Sequence, residues 1–235
     1  MIDMKKRILI KLSGESLSSG KGCFDEARCR QVAHVLAEVA RMGVEPGVVI
    51  GGGNIWRGRF SNDMDPVNAD QMGMLATVIN ALCAQDFLLR EGVKAEVFTA
   101  QEMNRFARLY TASAADECLK NGGIALLAGG SGNPFFTTDT AVALRAAELK
   151  ADTVFKGTTV EGVFDSDPRK NPEAKLLKDV TYAECIRQNL KVMDQTAFQL
   201  LMDRGVKELR VFHMDDPENI LRVVRGEDLG TTVHA

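Results

Sequence analysis

The chain has 235 residues and a formal net charge of −3 at pH 7, with acidic and basic residues mixed along its length. This length is sufficient for one large domain, or two fused lobes, with a substantial core. The lack of a basic tract argues against nucleic acid as the main partner, and the five scattered cysteines without a Cys-x-x-Cys motif argue against a disulfide framework or a zinc site.

The N-terminal segment is basic and then apolar, but Lys11 interrupts the apolar run after three residues. This pattern does not fit a signal peptide, and we expect no run of membrane-spanning length. The sequence therefore predicts a soluble, cytoplasmic protein that does not bind a membrane.

Short apolar strands alternate with longer helical patterns along the chain. The predicted strands cover residues 7–12, 47–51, 95–99, 124–128, 153–156 and 209–213. The predicted helices cover residues 26–42, 70–90, 113–120, 140–150, 195–204 and 217–224. The segment 160–178, rich in Asp, Pro, Gly and Lys, is predicted to be a hairpin or lid. Regular alternation predicts a three-layer α/β/α sandwich with a mostly parallel central sheet.

Four of the predicted strands end in glycine-rich or polar loops. These loops are Ser13-Gly14, residues 51–54, residues 129–139 and residues 156–158. Ligands of parallel sheets bind beyond the carboxyl ends of the strands, so we expect the four loops to converge on one binding face.

The loop 130–139 is the most informative of the four, because it joins a buried strand to a helix. The start of a helix presents N–H donors and a positive dipole, which suit a phosphate. Phe135 and Phe136 are unusual in a solvated loop and suggest a wall against a flat ligand or a neighbouring subunit. This segment predicts a nucleotide or phosphate site.

The sequence nearly matches two common nucleotide-binding motifs, the P-loop and the dinucleotide fingerprint, but satisfies neither. The segment from Gly14 to Lys21 has one residue too many between its glycines for a P-loop, and Gly22 occupies the position of the Ser or Thr. Trp56 replaces the third glycine of a dinucleotide fingerprint. The three histidines stand outside polar clusters, which argues against a histidine triad or metal site.

The remaining motifs resemble the amino acid kinase superfamily and, within it, the bacterial uridylate kinases. The similarity spans most of the chain and rests on seven phrases in family order: KLSGES, VVIGGGNIWRG, DQMGMLATVINAL, GNPFFTTD, KGTTVEGVFDSDP, LKVMD and GTTV. It implies a single amino acid kinase domain, with an acceptor lobe over about 1–150 and an ATP lobe over about 151–235. It also implies phosphorylation of UMP by Mg²⁺ and ATP in pyrimidine nucleotide biosynthesis.

The resemblance assigns roles to individual residues. The implied catalytic residues are Lys11, Arg57, Asp139 and Asp194. The implied ATP-binding residues are Lys11, Leu12, Ser13, Gly14, Gly53, Arg57, Thr158, Phe164 and Asp167, and Lys156 is expected to assist through its charge. The implied UMP-binding residues are Gly52, Asp70, Ser131, Gly132, Asn133, Pro134, Phe135, Phe136, Thr137 and Thr138. No metal-ligating residue is expected, because the ATP phosphates and water would hold Mg²⁺.

Simpler roles compete with these assignments. Lys11 could be a solvated lysine at the end of a strand. Asp70, Asp139 and Asp194 each precede or begin a helical pattern, where an isolated Asp usually serves as an N-cap. The residues also leave open a non-catalytic nucleotide-binding protein for storage or regulation, or a kinase that phosphorylates a carboxylate or carbamate. The resemblance further implies a homohexamer with GTP as activator and UTP as inhibitor.

Overall fold

The computed structural model describes residues 6–56 and 64–235, so Arg57 lies outside the described residues. The strands are β1 Arg7–Leu12, β2 Glu45–Ile50, β3 Ala95–Thr99, β4 Arg108–Leu109, β5 Ile124–Ala128, β6 Thr153–Thr158, β7 Val163–Phe164, β8 Leu176–Leu177, β9 Asp179–Thr181, β10 Glu208–His213 and β11 Thr231–His234. The α-helices are α1 Glu26–Arg41, α2 Pro66–Arg90, α3 Ala112–Lys120, α4 Thr138–Glu148, α5 Tyr182–Arg187, α6 Gln195–Asp203 and α7 Asn219–Val224, and Gly14–Leu17 forms a 3₁₀ turn.

Nine strands form one sheet in the order β4-β3-β5-β2-β1-β6-β10-β11-β9. Each neighbouring pair in this sheet is parallel except β10 with β11. Strands β7 and β8 pair separately as an antiparallel ribbon, which confirms the hairpin expected within 160–178.

Buried side chains of β1 alternate between two hydrophobic cores. Ile8, Ile10 and Leu12 pack with α1, α2 and α7, whereas Leu9 packs with α3 to α6 on the opposite face. Successive side chains of a strand point to opposite faces, so Lys11 belongs to the face that α4 covers. Helices on both faces of a mostly parallel sheet confirm the predicted three-layer sandwich.

The predicted boundaries need corrections at several elements. Helix α2 begins at Pro66 rather than residue 70, because Asp65 is the N-cap and accepts hydrogen bonds from Val67 N and Asn68 N. Helix α7 begins at Asn219 rather than residue 217. The sequence interpretation missed the short strands β4, β9 and β11, and also helix α5.

Helix α2 is long and apolar enough to cross a membrane by length and composition. The expectation that no segment approaches membrane-spanning length was therefore wrong as a statement about composition. Core helices of soluble proteins meet the same criterion, and Val78, Ala81, Ala84 and Leu88 of α2 are buried in the core that it shares with α1.

Candidate functional site

Two lysines lie side by side near the carboxyl ends of β1 and β6. Lys11 and Lys156 are partners in the parallel register of these strands, and their side chains are 14% and 7% exposed. Asp139 lies between them: Lys11 Nζ is 3.3 Å from Asp139 Oδ1, and Lys156 Nζ donates a hydrogen bond to Asp139 Oδ2. The structure therefore excludes the alternative of Lys11 as a solvated lysine.

The charges of this triad influence one another strongly. Burial on its own would raise the pKa of Asp139, but the ammonium groups of Lys11 and Lys156 lower it below its ordinary value. Burial lowers the pKa of Lys156, although the facing carboxylate of Asp139 opposes that shift. With all three groups ionised, the triad has one excess positive charge, which attracts a phosphate.

Asp139 is in the first turn of α4 and is not its N-cap. Thr137 is the N-cap, and its Oγ1 accepts a hydrogen bond of 3.1 Å from Asp139 N. The carboxylate of Asp139 is consequently available to the two lysines. The N-cap alternative for this residue was wrong.

Asp194 occupies the N-cap position of α6 but makes no capping hydrogen bond. Its Oδ2 instead accepts hydrogen bonds from Thr137 Oγ1 and, at 3.3 Å, from Thr140 Oγ1. Asp194 therefore ties the beginning of α4 to the beginning of α6, close to the lysine pair.

A cleft of about 630 Å³ extends from Lys11 between the glycine turn that follows β2 and the loop before α4. Its lining includes the predicted residues Lys11, Ser13, Gly14, Gly52, Gly53, Asp70, Asn133, Phe135, Phe136, Thr137, Thr138 and Asp194. A Cβ atom on Gly52 would lie 2.8 Å from Ala76 Cβ and 2.9 Å from Gly73 O, so only glycine allows this turn to approach α2 so closely. We call this space the acceptor cleft.

Asp70 lies within the second turn of α2, so the N-cap alternative for this residue was also wrong. Its Oδ2 accepts a hydrogen bond of 2.7 Å from Phe135 N. Phe135 has a φ of 70° and a side chain that is 71% exposed. A non-glycine residue rarely adopts this backbone conformation, and the contact with Asp70 helps to hold it there.

A second cleft, of about 570 Å³, extends from Lys11 in the other direction. Its lining includes the predicted residues Lys11, Ser13, Thr158, Phe164 and Asp167, together with Lys156. Asp167 holds its own turn, because its Oδ1 accepts a hydrogen bond of 3.0 Å from Arg169 N. We call this space the donor cleft.

The two clefts meet at the lysine pair. Lys11 and Ser13 line both of them, and a cavity of about 470 Å³ joins Lys11 and Lys156 to Thr137, Asp139 and Asp194. The N-terminus of α4 lies at this junction and adds a positive dipole. The arrangement can hold two phosphorylated ligands end to end, with their phosphates next to two cations.

Some predicted binding residues lie elsewhere. Leu12 is fully buried in the core and lines neither cleft, so the structure does not place it in contact with a ligand. Gly132 and Pro134 line a separate cavity of about 310 Å³ behind the loop. Ser131 Oγ donates a hydrogen bond of 3.2 Å to Asn133 O. Gly14 and Gly53 line the acceptor cleft and not the donor cleft, although the resemblance assigns both to ATP.

Sequence reasoning also missed several residues that line the site. Glu15 lines both clefts, and the segment 188–192 between α5 and α6 lines the donor cleft. Lys156 was expected only to assist ATP binding through its charge, yet it pairs with Lys11 in the register of β1 and β6. A lysine after the apolar pair Val154-Phe155 in β6 matches the pattern of β1, and that similarity could have identified it.

Within residues 6–56 and 64–235, no group of three or more His, Cys, Asp or Glu side chains could hold a metal ion. One carboxylate oxygen, Asp139 Oδ1, is nevertheless placed to contact a cation that lies between two bound phosphorylated molecules. Asp139 Oδ1 is buried and has no hydrogen-bond partner among the described residues, although Lys11 lies within ion-pair distance. Mg²⁺ prefers such hard oxygen ligands, usually with several waters.

Comparison with known proteins identifies the family to which this chain belongs. The family model of the amino acid kinase family matches residues 6–213. The chain belongs to the amino acid kinase family. This chain is 47% identical to a protein named uridylate kinase from Parabacteroides distasonis. The alignment of 232 residues covers 97% of this chain and 98% of that protein.

Solved structures of amino acid kinase relatives have the same fold. The UMP kinase from Bacillus anthracis superposes with a TM-score of 0.93 at 37% identity, covering 97% of this chain and 96% of that one. The UMP kinase from Ureaplasma parvum superposes with a TM-score of 0.92 at 33% identity, covering 99% and 100%. The predicted family and fold are therefore confirmed.

Proposed function

We propose that the protein transfers the γ-phosphoryl group of ATP to UMP, releasing ADP and UDP, as a step of pyrimidine nucleotide biosynthesis. The observation that carries this proposal is the meeting of two clefts at Lys11, Asp139 and Lys156. The close similarity to uridylate kinases supports UMP as the acceptor.

The reaction needs no general base. The second pKa of a phosphate monoester is about 6, so UMP is mostly a dianion at neutral pH and has no proton to lose. A phosphate oxygen of UMP attacks the γ-phosphorus of ATP in line. The bond from that phosphorus to the bridging oxygen breaks, and its electron pair leaves with ADP.

Lys11 and Lys156 stabilise the negative charge that spreads over the transferred group, and Asp139 holds the two cations together. In this proposal Ser13, Thr158, Phe164 and Asp167 of the donor cleft hold ATP. The acceptor loop, defined as residues 130–138, holds UMP together with Gly52 and Asp70. Asp194 fixes the end of the acceptor loop through Thr137, and Arg57 adds a cation from outside the described residues.

Mg²⁺ is proposed to accompany ATP, held mainly by its phosphates and by water. It would neutralise part of the phosphate charge during the transfer. The carboxylates of Asp139, beside Lys11, and of Asp194 are the groups that can orient its waters.

We further propose a cytoplasmic homohexamer that GTP activates and UTP inhibits, with an acceptor lobe over about 1–150 and an ATP lobe over about 151–235. Met72, Leu75 and Ile79 of α2 support association, because these apolar side chains are 39–51% exposed. Strands β1, β2, β3 and β5 come from the first lobe, and β6 and β10 from the second.

Two alternative functions can be distinguished from UMP phosphorylation. A storage or regulatory protein would bind nucleotides without turnover, whereas the buried lysine pair favours an enzyme. The acceptor cleft of about 630 Å³ is bounded by Asp70 and two phenylalanines, which favours a nucleotide over a carboxylate or carbamate as the acceptor.

The test is a coupled assay of ADP release with Mg-ATP and, separately, UMP, CMP, dUMP, AMP, glutamate, aspartate and carbamate. We expect turnover with UMP to exceed turnover with the amino acids and carbamate by far. Tight ATP binding without turnover on any acceptor would instead support storage or regulation.

A further inference from the structure

The long helix α2 buries two polar side chains on the side that faces the reaction centre. Thr77 and Asn80 are 4% and 0% exposed, whereas Leu75 and Ile79 on the other side are about half exposed. A buried polar group destabilises a protein unless it forms hydrogen bonds. Both residues have partners, and these partners belong to loops of the acceptor cleft.

The amide of Asn80 binds the glycine turn, defined as residues 51–54. Its Nδ2 donates to Gly51 O at 2.7 Å and to Asn54 Oδ1 at 2.8 Å, and Asn54 Nδ2 donates back to Asn80 Oδ1 at 3.1 Å. Asn54 Nδ2 also donates to Cys23 O at 2.7 Å. Asn80 therefore holds the glycine turn at both of its ends.

The glycine turn also contacts the end of β1 and the loop that follows it. Gly51 N donates to Leu12 O at 2.9 Å. A Cβ atom on Gly14 would lie 2.1 Å from Asn54 Oδ1 and 2.8 Å from Gly51 O. The position of Asn54 thus determines how closely the Gly14 turn can approach, and Asn80 determines the position of Asn54.

The same side of α2 also contacts the acceptor loop. Gly129 N, immediately before that loop, donates to Thr77 Oγ1 at 2.8 Å, and Thr77 Oγ1 donates to Met74 O at 2.6 Å. Thr77 lines the acceptor cleft, whereas Asn80 lines neither that cleft nor the donor cleft. Asn80 can therefore influence bound ligands only through its hydrogen-bond partners in the glycine turn.

We propose that Asn80 is a positioning residue for phosphoryl transfer. Its amide fixes the glycine turn directly and the Gly14 turn through Asn54, so that both turns are aligned with Lys11. This inference rests on the proposed function. Small errors of alignment are costly in such a reaction, since a displacement of about 1 Å can reduce the rate on the order of 10²-fold.

The test compares Asn80→Ala with Leu88→Ala, a change at a fully buried apolar residue two turns further along the same helix. We expect Asn80→Ala to lower kcat about 10- to 100-fold while the KM values for UMP and ATP change less than about 3-fold. Leu88→Ala should lower the melting temperature but leave kcat of the folded protein near the wild-type value. A wild-type kcat in Asn80→Ala overturns the positioning role. So does a loss of kcat in both variants that is proportional to their loss of stability.

If Asn80→Ala does not fold, Asn54→Ala decides the question, because it removes the same amide pair from the loop side. A lower kcat in folded Asn54→Ala supports the proposal, and an unchanged kcat overturns it. The wild-type assay separates the two levels of inference. Wild-type protein without UMP-dependent ADP release contradicts the proposed function and this inference with it, whereas active wild type with unimpaired variants contradicts only the role of Asn80.

Discussion

Lys11 and Lys156 occupy paired positions of the neighbouring strands β1 and β6, and both side chains reach the carboxylate of Asp139. Two cations with one shared counter-ion keep an excess positive charge in a nearly buried place. The charge remains available to a phosphate, while Asp139 lowers the cost of burying it. This triad is the basis of the first two predictions.

Replacing Lys11 with alanine should lower kcat by roughly 10²- to 10⁴-fold, because the transition state loses one electrostatic donor. The fold should persist, since Asp139 keeps its partner Lys156. Steady-state kinetics and a thermal melt measure the two effects. Lys207→Ala is the matched control, because that side chain is 81% exposed, and it should retain wild-type kcat. Near-normal turnover in folded Lys11→Ala would refute the mechanism.

Replacing Asp139 with asparagine should change how stability depends on pH. The lysines lower the pKa of Asp139 in the folded protein, whereas an unfolded Asp has a pKa of about 3.9. This contribution to stability is therefore complete above the unfolded pKa and is lost as the pH falls through the folded pKa. Urea unfolding from pH 7 to pH 3 should show the wild-type advantage over Asp139→Asn shrinking in acid.

The control for this pH series is Asp228→Asn, because the side chain of Asp228 is 79% exposed and forms an exposed ion pair of 3.8 Å with Lys178 Nζ. Exposed pairs of this kind contribute little, so its unfolding curves should match those of the wild type at each pH. A constant difference between wild type and Asp139→Asn across the series would contradict the assigned charge coupling.

Replacing Asp70 with alanine should raise the KM for UMP by about 10- to 100-fold, the equivalent of one or two hydrogen bonds to a charged group. The KM for ATP should stay the same, since Asp70 lines only the acceptor cleft. Asp65→Ala on the same helix is the control: it removes the N-cap and should cost about 1 kcal/mol of stability without changing the KM for UMP. Equal KM values for UMP in the two variants would argue against the role of Asp70.

The hydroxyl group of Thr137 joins the N-cap of α4 to Asp194. Thr137→Val keeps the shape but loses both hydrogen bonds, so we expect a loss of about 0.5–2 kcal/mol of stability and a lower kcat. Thr137→Ser keeps the hydroxyl and should restore both properties. Chemical unfolding and kinetics of the two variants check this, and a serine variant as impaired as the valine variant would show that the methyl group matters instead.

Much of the fold could be predicted because the central strands are apolar runs bounded by loops. Strands β1, β3 and β5 have the predicted limits, since these runs begin and end sharply. Strands β9 and β11 are short and mostly polar, and they depend on pairing with each other and with β10 near one end of the sheet, which no local pattern reveals. The start of α2 could have been predicted, because Asp65 and Pro66 form an N-cap and N1 pair.

The candidate site was predicted in part for a similar reason. The loops after β1, β2, β5 and β6 could be expected on one face, because parallel strands end at one edge of the sheet. The register that pairs Lys11 with Lys156 depends on distant segments of the chain and could not be read locally. The role of Asn80 was hidden within an apolar helix whose buried and exposed sides only the tertiary packing distinguishes.

The central position of β1 in the sheet makes the two halves of the site modular. Loops that line the acceptor cleft follow β2 and β5 on one flank of β1, and loops that line the donor cleft follow β6 on the other flank. Acceptor preference can therefore change by replacement of the acceptor loop and the first turns of α2, while the half proposed to bind ATP stays intact. An architecture of this kind allows one phosphate donor to serve many acceptors in the course of evolution, and it gives protein engineers a defined segment to exchange.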